Sequence, residues 1–172
     1  MQIQYFIDEK RRGYNKVAIL LVAVLLMTFC VQAAVVPSSK QTLELKSGWN
    51  LVTLMKPLDS MSGNIQNFLS LMPMRYDIGC GAYVFCERAE DVKAGVGYWV
   101  FSRGKKTVEL ALDTMQMAVQ PSVEKGWNLV GMTDVAAWAD SAMSIWGWPN
   151  GSFKLFKKKD LKIGDAYWVM MP

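Results

Sequence analysis

The chain has 172 residues and a formal net charge of +4, and it contains no histidine. Without histidine it lacks the side chain that most often serves as a general acid or base near neutral pH and that most often ligates metals. Part of the positive charge belongs to residues 1–33, where Lys10, Arg11, Arg12 and Lys16 outnumber Asp8 and Glu9, and the +2 left on the remainder gives no electrostatic case for nucleic acid.

From the N-terminus, a basic segment ending at Lys16 runs into Val17–Val31, an uncharged apolar stretch followed by Gln32, Ala33 and Ala34. This order matches a secretory signal, with Val31-Gln32-Ala33 as a small-residue cleavage site. Left uncut, the apolar stretch continues to Val36 and is long enough to act as a signal anchor. A lipid-attachment box fails because Phe29 precedes Cys30, and a prepilin cut after Gly13 lacks its acidic residue at Ala18. Residues 1–33 are therefore expected to be a signal peptide or signal anchor, with 34–41 as a linker. Both alternatives send the rest of the chain out of the cytoplasm, to the periplasm, the cell surface or beyond.

The pentamer Gly48-Trp49-Asn50-Leu51-Val52 recurs unchanged as Gly126-Trp127-Asn128-Leu129-Val130. Further on, Asp91-Val92-Lys93-Ala94-Gly95-Val96-Gly97-Tyr98-Trp99-Val100 is matched by Asp160-Leu161-Lys162-Ile163-Gly164-Asp165-Ala166-Tyr167-Trp168-Val169, and Gly81–Phe85 aligns with Gly151–Leu155. Motifs kept in order point to two tandem copies, residues 42–102 and 122–172.

In the first copy the pattern predicts strands at Thr42–Leu45 and Trp49–Leu54. A helix over Met61–Met72 follows, capped by Asp59 or Ser60 and stopped by Pro73, with Ile65, Phe68, Leu69 and Met72 on one stripe. Strands at Ala82–Cys86 and Tyr98–Phe101 close the copy. A linking strand, Thr107–Leu112, leads to a boundary at Pro121. The second copy repeats the plan, with a helix over Val135–Ile145 capped by Thr133 or Asp134 and strands at Ser152–Phe156 and Tyr167–Met170. The predicted fold is α+β, mainly antiparallel β: two pseudo-repeats of strand, helix, strand, strand. Because each copy is small, the two are expected to share one core within a single domain, 42–172, after the N-terminal export helix.

On these motifs the chain resembles a repeat of exported bacterial and archaeal surface proteins, in which a Gly-Trp-Asn-Leu-[Val/Ile] strand is followed by Gly-x-[Gly/Ala]-Tyr-Trp-Val. The resemblance spans residues 42–172 and implies a secreted or surface-attached module with no settled activity.

Trp49, Trp99, Trp127 and Trp168 occupy repeated positions among aliphatic residues and are expected to be core anchors, together with Tyr98 and Tyr167. Trp138, Trp146 and Trp148 have no counterpart in the first copy. Trp146–Gly151 reads as a loop, so these three are the candidate ligand-binding residues, with packing over the helix end as the alternative. Asn50 and Asn128 lie inside apolar strands, where an amide needs partners, and are expected to bond the backbone of an adjacent turn. Cys80 and Cys86 form a candidate disulfide only if the chain bends near Gly79 or Gly81, because a straight strand holds them too far apart. Lys157-Lys158-Lys159 reads as a solvated turn. Asp91 and Asp160 read as turn residues that bond their own backbone.

The sequence contains no nucleotide loop, metal-spaced ligand set or nucleophile elbow, so no catalytic residue, cofactor or metal is assigned. The expected function is a non-catalytic binding or assembly module whose partner is an unknown protein or glycan at the cell surface. Nucleic acid is excluded as a partner, and the membrane is met only through an uncut N-terminal segment. The alternatives are a membrane-anchored structural component of the envelope and a glycan hydrolase working through two carboxylates alone.

Overall fold

The computed structural model describes residues 39–59, 63–113, 115–116, 121–134 and 136–172. All of them belong to one compact unit, Pro37–Pro172. The segment expected to direct export lies outside the described residues, and no described helix is long and apolar enough to cross a membrane.

The elements run β1 (Ser39–Leu45), β2 (Gly48–Thr53), α1 (Asn64–Leu69), β3 (Met74–Asp77), β4 (Ala82–Phe85), β5 (Gly97–Ser102) and β6 (Lys106–Leu112), followed by β7 (Gly126–Gly131), α2 (Trp138–Ser141), β8 (Ser144–Gly147), β9 (Lys154–Leu155) and β10 (Ala166–Met171). Every strand pairing is antiparallel. One four-stranded sheet has the order β2-β5-β3-β4 and the other β7-β10-β8-β9, while β1 and β6 form a separate ribbon. The fold is mainly antiparallel β with two short helices.

Each sheet begins with the same local device. In the turn before β2, Asn50 Oδ1 accepts from Lys46 N (2.8 Å), while Asn50 Nδ2 donates to the carbonyls of Lys46 (2.9 Å) and Gly48 (3.0 Å). Before β7, Asn128 makes the corresponding three bonds, with Glu124 N (2.9 Å), Glu124 O (2.7 Å) and Gly126 O (2.9 Å). The turn sets φ to 93° at Gly48 and 96° at Gly126, a region a side chain would strain. Both asparagines therefore act as expected, closing a turn from inside a strand.

Each sheet ends with a second device. Tyr98 Oη accepts from Lys93 N (2.6 Å) and donates to Lys93 O (2.9 Å), and Tyr167 Oη accepts from Lys162 N (3.0 Å). The tyrosine rings are buried, with Phe68 of α1 set edge-on to Tyr98 at 5.3 Å and Trp138 of α2 tilted against Tyr167 at 6.4 Å. Burial raises both phenol pKa values, that of Tyr167 to about 12.

Several sequence expectations are corrected. The helices are much shorter than predicted: α1 starts after Gly63, and Met72 is exposed with φ +49° instead of continuing the apolar stripe. In the second half Ile145 leaves the helix altogether, because residues 144–147 form β8 and pair with β10. A strand in the middle of a sheet has two edges of unpaired backbone groups, and satisfying the second edge of β10 outweighs the weak helical periodicity of this segment. β3 does the same for β5 and was likewise missed.

The single shared core is corrected as well. Buried apolar residues form two clusters. The larger joins Val52, Phe68, Tyr98 and Val100 to Leu43, Leu45, Val108 and Leu110 of the ribbon, and the smaller groups Val130, Trp138, Ile145, Tyr167 and Val169. The ribbon contributes to the first cluster alone, which is why the clusters differ in size.

Where β2 and β5 approach β7 and β10, part of the contact between the sheets is made by backbone and by close approach at glycines. Val52 bridges Asp165, and Val96 bridges Val130. Gly131 packs so tightly on Thr53 that a methyl added to it would lie 2.6 Å from Thr53 Cβ.

Cys80 and Cys86 are both free thiols. The β3–β4 hairpin pairs Asp77 with Ala82 and Met74 with Phe85, so Cys80 sits at its tip and Cys86 beyond its base, where Cys86 N donates to Pro73 O (2.8 Å). The bend exists, but it carries the two thiols to opposite ends of the hairpin.

A candidate binding face of aromatic side chains

Strand alternation gives each four-stranded sheet two faces. Asn50, Val52, Tyr98 and Val100 point into the first core, which sends Trp49, Leu51, Trp99 and Phe101 to the opposite face. In the second sheet Trp127, Leu129, Trp168 and Met170 take that face. β3 adds Met74 across from Trp99, and β8 adds Trp146 across from Trp168.

The non-core faces of the two sheets meet through rings. Trp148 and Phe153 of the second half contact Trp99 edge-on at 5.2 and 6.3 Å, while Tyr76 and Tyr83 of the first half contact Trp168 at 4.7 and 6.1 Å. Further out, Trp49 meets Trp99 at 6.3 Å and Trp127 meets Trp168 at 6.2 Å. Edge-to-face contact lets the positive rim of one ring meet the negative face of the next, which holds the cluster as an ordered assembly.

Two grooves open on this surface. One, of about 290 Å³, is lined by Trp49, Met74, Tyr83, Trp99, Trp148 and Phe153. The other, of about 410 Å³, is lined by Tyr76, Tyr83, Trp127, Trp146, Phe153 and Trp168. Neither lining contains a charged side chain. Trp99 Nε1 donates to Tyr83 Oη (3.2 Å) and Trp148 Nε1 to Trp49 O (3.3 Å). The indole N–H groups of Trp49, Trp127, Trp146 and Trp168 have no acceptor among the described residues.

The sequence assignments divide on this face. Trp49 and Trp127 were expected in the core, yet they are 47% and 42% exposed. Trp99 is buried and Trp168 half-buried, but within the aromatic cluster between the sheets instead of either aliphatic core. Among the three candidate ligand-binding tryptophans, Trp146 and Trp148 line the grooves, whereas Trp138 is only 2% exposed and belongs to the second core. Trp146 also lies in a strand and not in the predicted loop. Tyr76, Tyr83 and Phe153 were missed, although the retained aromatic character at the aligned pair Tyr83 and Phe153 was a readable signal.

A larger cleft, of about 750 Å³, lies beside the first groove between the turn before β2 and the turn after β8. Lys46 Nζ tethers the two turns by donating to Pro149 O (2.9 Å) and Asn150 Oδ1 (3.1 Å). The corresponding cleft in the other half, of about 430 Å³, has Glu124 in the place of Lys46 and Ile78 in that of Asn150, so the tether is not repeated.

Away from this face, Asp91 bonds backbone as expected, its carboxylate accepting from Arg88 N (3.0 Å) and Glu87 N (3.3 Å). Those bonds, above all that from Arg88, lower its pKa. Asp77 is lowered likewise by Cys80 N and then by Arg75. Lys157 and Lys159 are exposed, and Lys158 pairs with Asp140. No cluster of potential metal ligands occurs among the described residues.

No protein family, curated protein or solved structure matches this chain.

Proposed function

We propose that this chain is an exported, non-catalytic binding module, built from two copies of one unit, that attaches to neutral glycan of the cell envelope through its aromatic face. The observation that carries this reading is the pair of uncharged, ring-lined grooves rimmed by half-exposed tryptophans. A pyranose ring presents weakly positive C–H groups to an aromatic face and hydroxyl oxygens at its edge. Exposed indole faces satisfy the first, and indole N–H groups without a protein acceptor satisfy the second. The clustering of large apolar side chains on one surface is also what an interaction site requires. Export rests on the signal-like order of residues 1–33, and the repeat motifs resemble those of surface proteins.

The test uses the full chain in detergent, with binding to insoluble cellulose, chitin and peptidoglycan measured by depletion from solution. Binding to at least one of them is expected. The variants Trp49→Ala and Trp127→Ala, each altering a side chain that is largely outside the aliphatic cores, are each expected to lower the amount bound, and the two combined to weaken binding at least about tenfold, equivalent to about 1.4 kcal/mol. Unchanged binding by both variants, or no retention on any of the three polymers, would remove the reading.

A further inference from the structure

The two grooves correspond residue for residue. Trp49 and Trp127 are matched in the repeated pentamers, and Trp99 and Trp168 in the repeated Tyr-Trp-Val. Met74 and Trp146 match because each stands opposite the tryptophan of the adjacent strand. Each groove also borrows one wall from the other half: Trp148 for the first, and Tyr76, at the corresponding place in the first sheet, for the second. Tyr83 and Phe153, aligned with each other, line both grooves and exchange places between them. Ring geometry repeats the correspondence. Trp148 lies 4.8 Å from Phe153 at 73°, and Tyr76 lies 5.8 Å from Tyr83 at 70°.

Reciprocal borrowing of this kind is what an approximate two-fold axis between Tyr83 and Phe153 produces. Gly131 against Thr53 and Gly97 against Ala166 are two further contacts between aligned positions, as residues beside such an axis must make. A two-fold axis reverses direction. A glycan chain has distinct ends, so one chain crossing both grooves in a line would run forwards through one and backwards through the other, and it could not make the same contacts in both.

We infer that the module has two complete sites, and that it holds two separate neutral glycan segments, one per groove, running in opposite senses. This rests on the glycan-binding reading above. The occupant follows from the linings: neither groove offers a charge to an ionic ligand, both offer ring faces, Trp49 in the first and Trp127, Trp146 and Trp168 in the second have indole N–H groups without an acceptor among the described residues, and the volumes suit short oligosaccharide segments better than a folded partner. A module with this arrangement joins two polymer strands. The sites are not identical, since Met74 replaces Trp146 and only the first groove adjoins the Lys46 tether, so their affinities should differ while their number stays at two.

Isothermal titration of the full chain in detergent with cellohexaose and chitohexaose tests this, with sedimentation velocity as a second measurement. The expected result is two equivalents of hexasaccharide per chain for at least one of these sugars. Trp49→Ala and Trp127→Ala should each leave one equivalent, and Tyr83→Ala should weaken both sites by tenfold or more. If Trp127→Ala fails to fold, judged by near-ultraviolet circular dichroism, Trp127→Gln takes its place. One equivalent that either tryptophan variant abolishes would overturn the two-site arrangement while leaving the glycan reading intact. Absence of binding by both sugars together with no retention on the polymers above would overturn both. A dimer that either tryptophan variant dissociates would identify a second copy as the occupant and overturn the proposal.

Discussion

Asn50 and Asn128 supply, with one side chain each, the hydrogen bonds that a glycine turn leaves unmade. Both are buried and both make three bonds to turn backbone, so replacing Asn128 with alanine removes three bonds and leaves Glu124 N and two carbonyls to find water. At about 1 kcal/mol for each net bond, Asn128→Ala is expected to destabilise the fold by about 2–3 kcal/mol, measured by urea denaturation of the full chain in detergent. Asn50→Ala should cost a similar amount; a loss below about 0.5 kcal/mol at both positions would show that the turns hold without the amide. These roles were legible in the sequence because an amide inside an apolar strand has few ways to be satisfied. The tryptophans were not. Strands apolar on both faces do not reveal which face packs on the strand's own helix and which meets the opposite sheet, and only the second arrangement leaves Trp49 and Trp127 half in solvent.

At the scale of elements, motif order was readable and the short central pieces were not. β3 and β8 have four residues each, too few for periodicity to speak, and their place depends on β5 and β10 needing a second partner. Disulfide geometry was also beyond the sequence, since it turned on a hairpin whose first strand was unrecognised. The connection from β4 to β5 carries a prediction of its own. Asp91 accepts two backbone N–H bonds in its 3₁₀ turn, while Cys86 is buried below it with Sγ 3.7 Å from Asp91 O. Hydrogen bonding lowers the Asp91 pKa in the fold, so its contribution is complete above the unfolded value of about 3.9 and is lost as pH falls through the folded value. Burial raises the Cys86 pKa to about 11, so its contribution is complete below the unfolded value and is lost as pH rises towards that figure. Stability measured against pH should therefore fall at both ends. Asp91→Asn should flatten the acid side and Cys86→Ala the onset of the alkaline side, and identical profiles for the variants and the parent would show that this connection does not govern either limb.

At the scale of the whole unit, the axis inferred from the grooves makes a demand on the seam between the sheets. Thr53 and Gly131 are aligned positions that touch each other, one large and one small, so threonine at both would clash and glycine at both would leave a gap. Thr53 Oγ1 donates to Val96 O (2.8 Å), and the residue aligned with Val96 is Asp165, whose carbonyl already accepts from Met132 N (2.8 Å) on the other side. A threonine at 131 would thus find an equivalent acceptor, provided that position 53 had been emptied. Gly131→Thr alone should overpack the seam and destabilise by about 1–3 kcal/mol or more, and Thr53→Gly alone should lose its bond and its packing. The exchange Thr53→Gly with Gly131→Thr should recover most of both losses, a coupling of about 1–3 kcal/mol in a double-mutant cycle. Losses that simply add would mean that the seam is not two-fold in its packing, and the two-site arrangement on the aromatic face would lose its geometric basis. Recovery would instead show that the size difference at this contact, invisible while each half is read alone, is what allows the two sheets to close on one another.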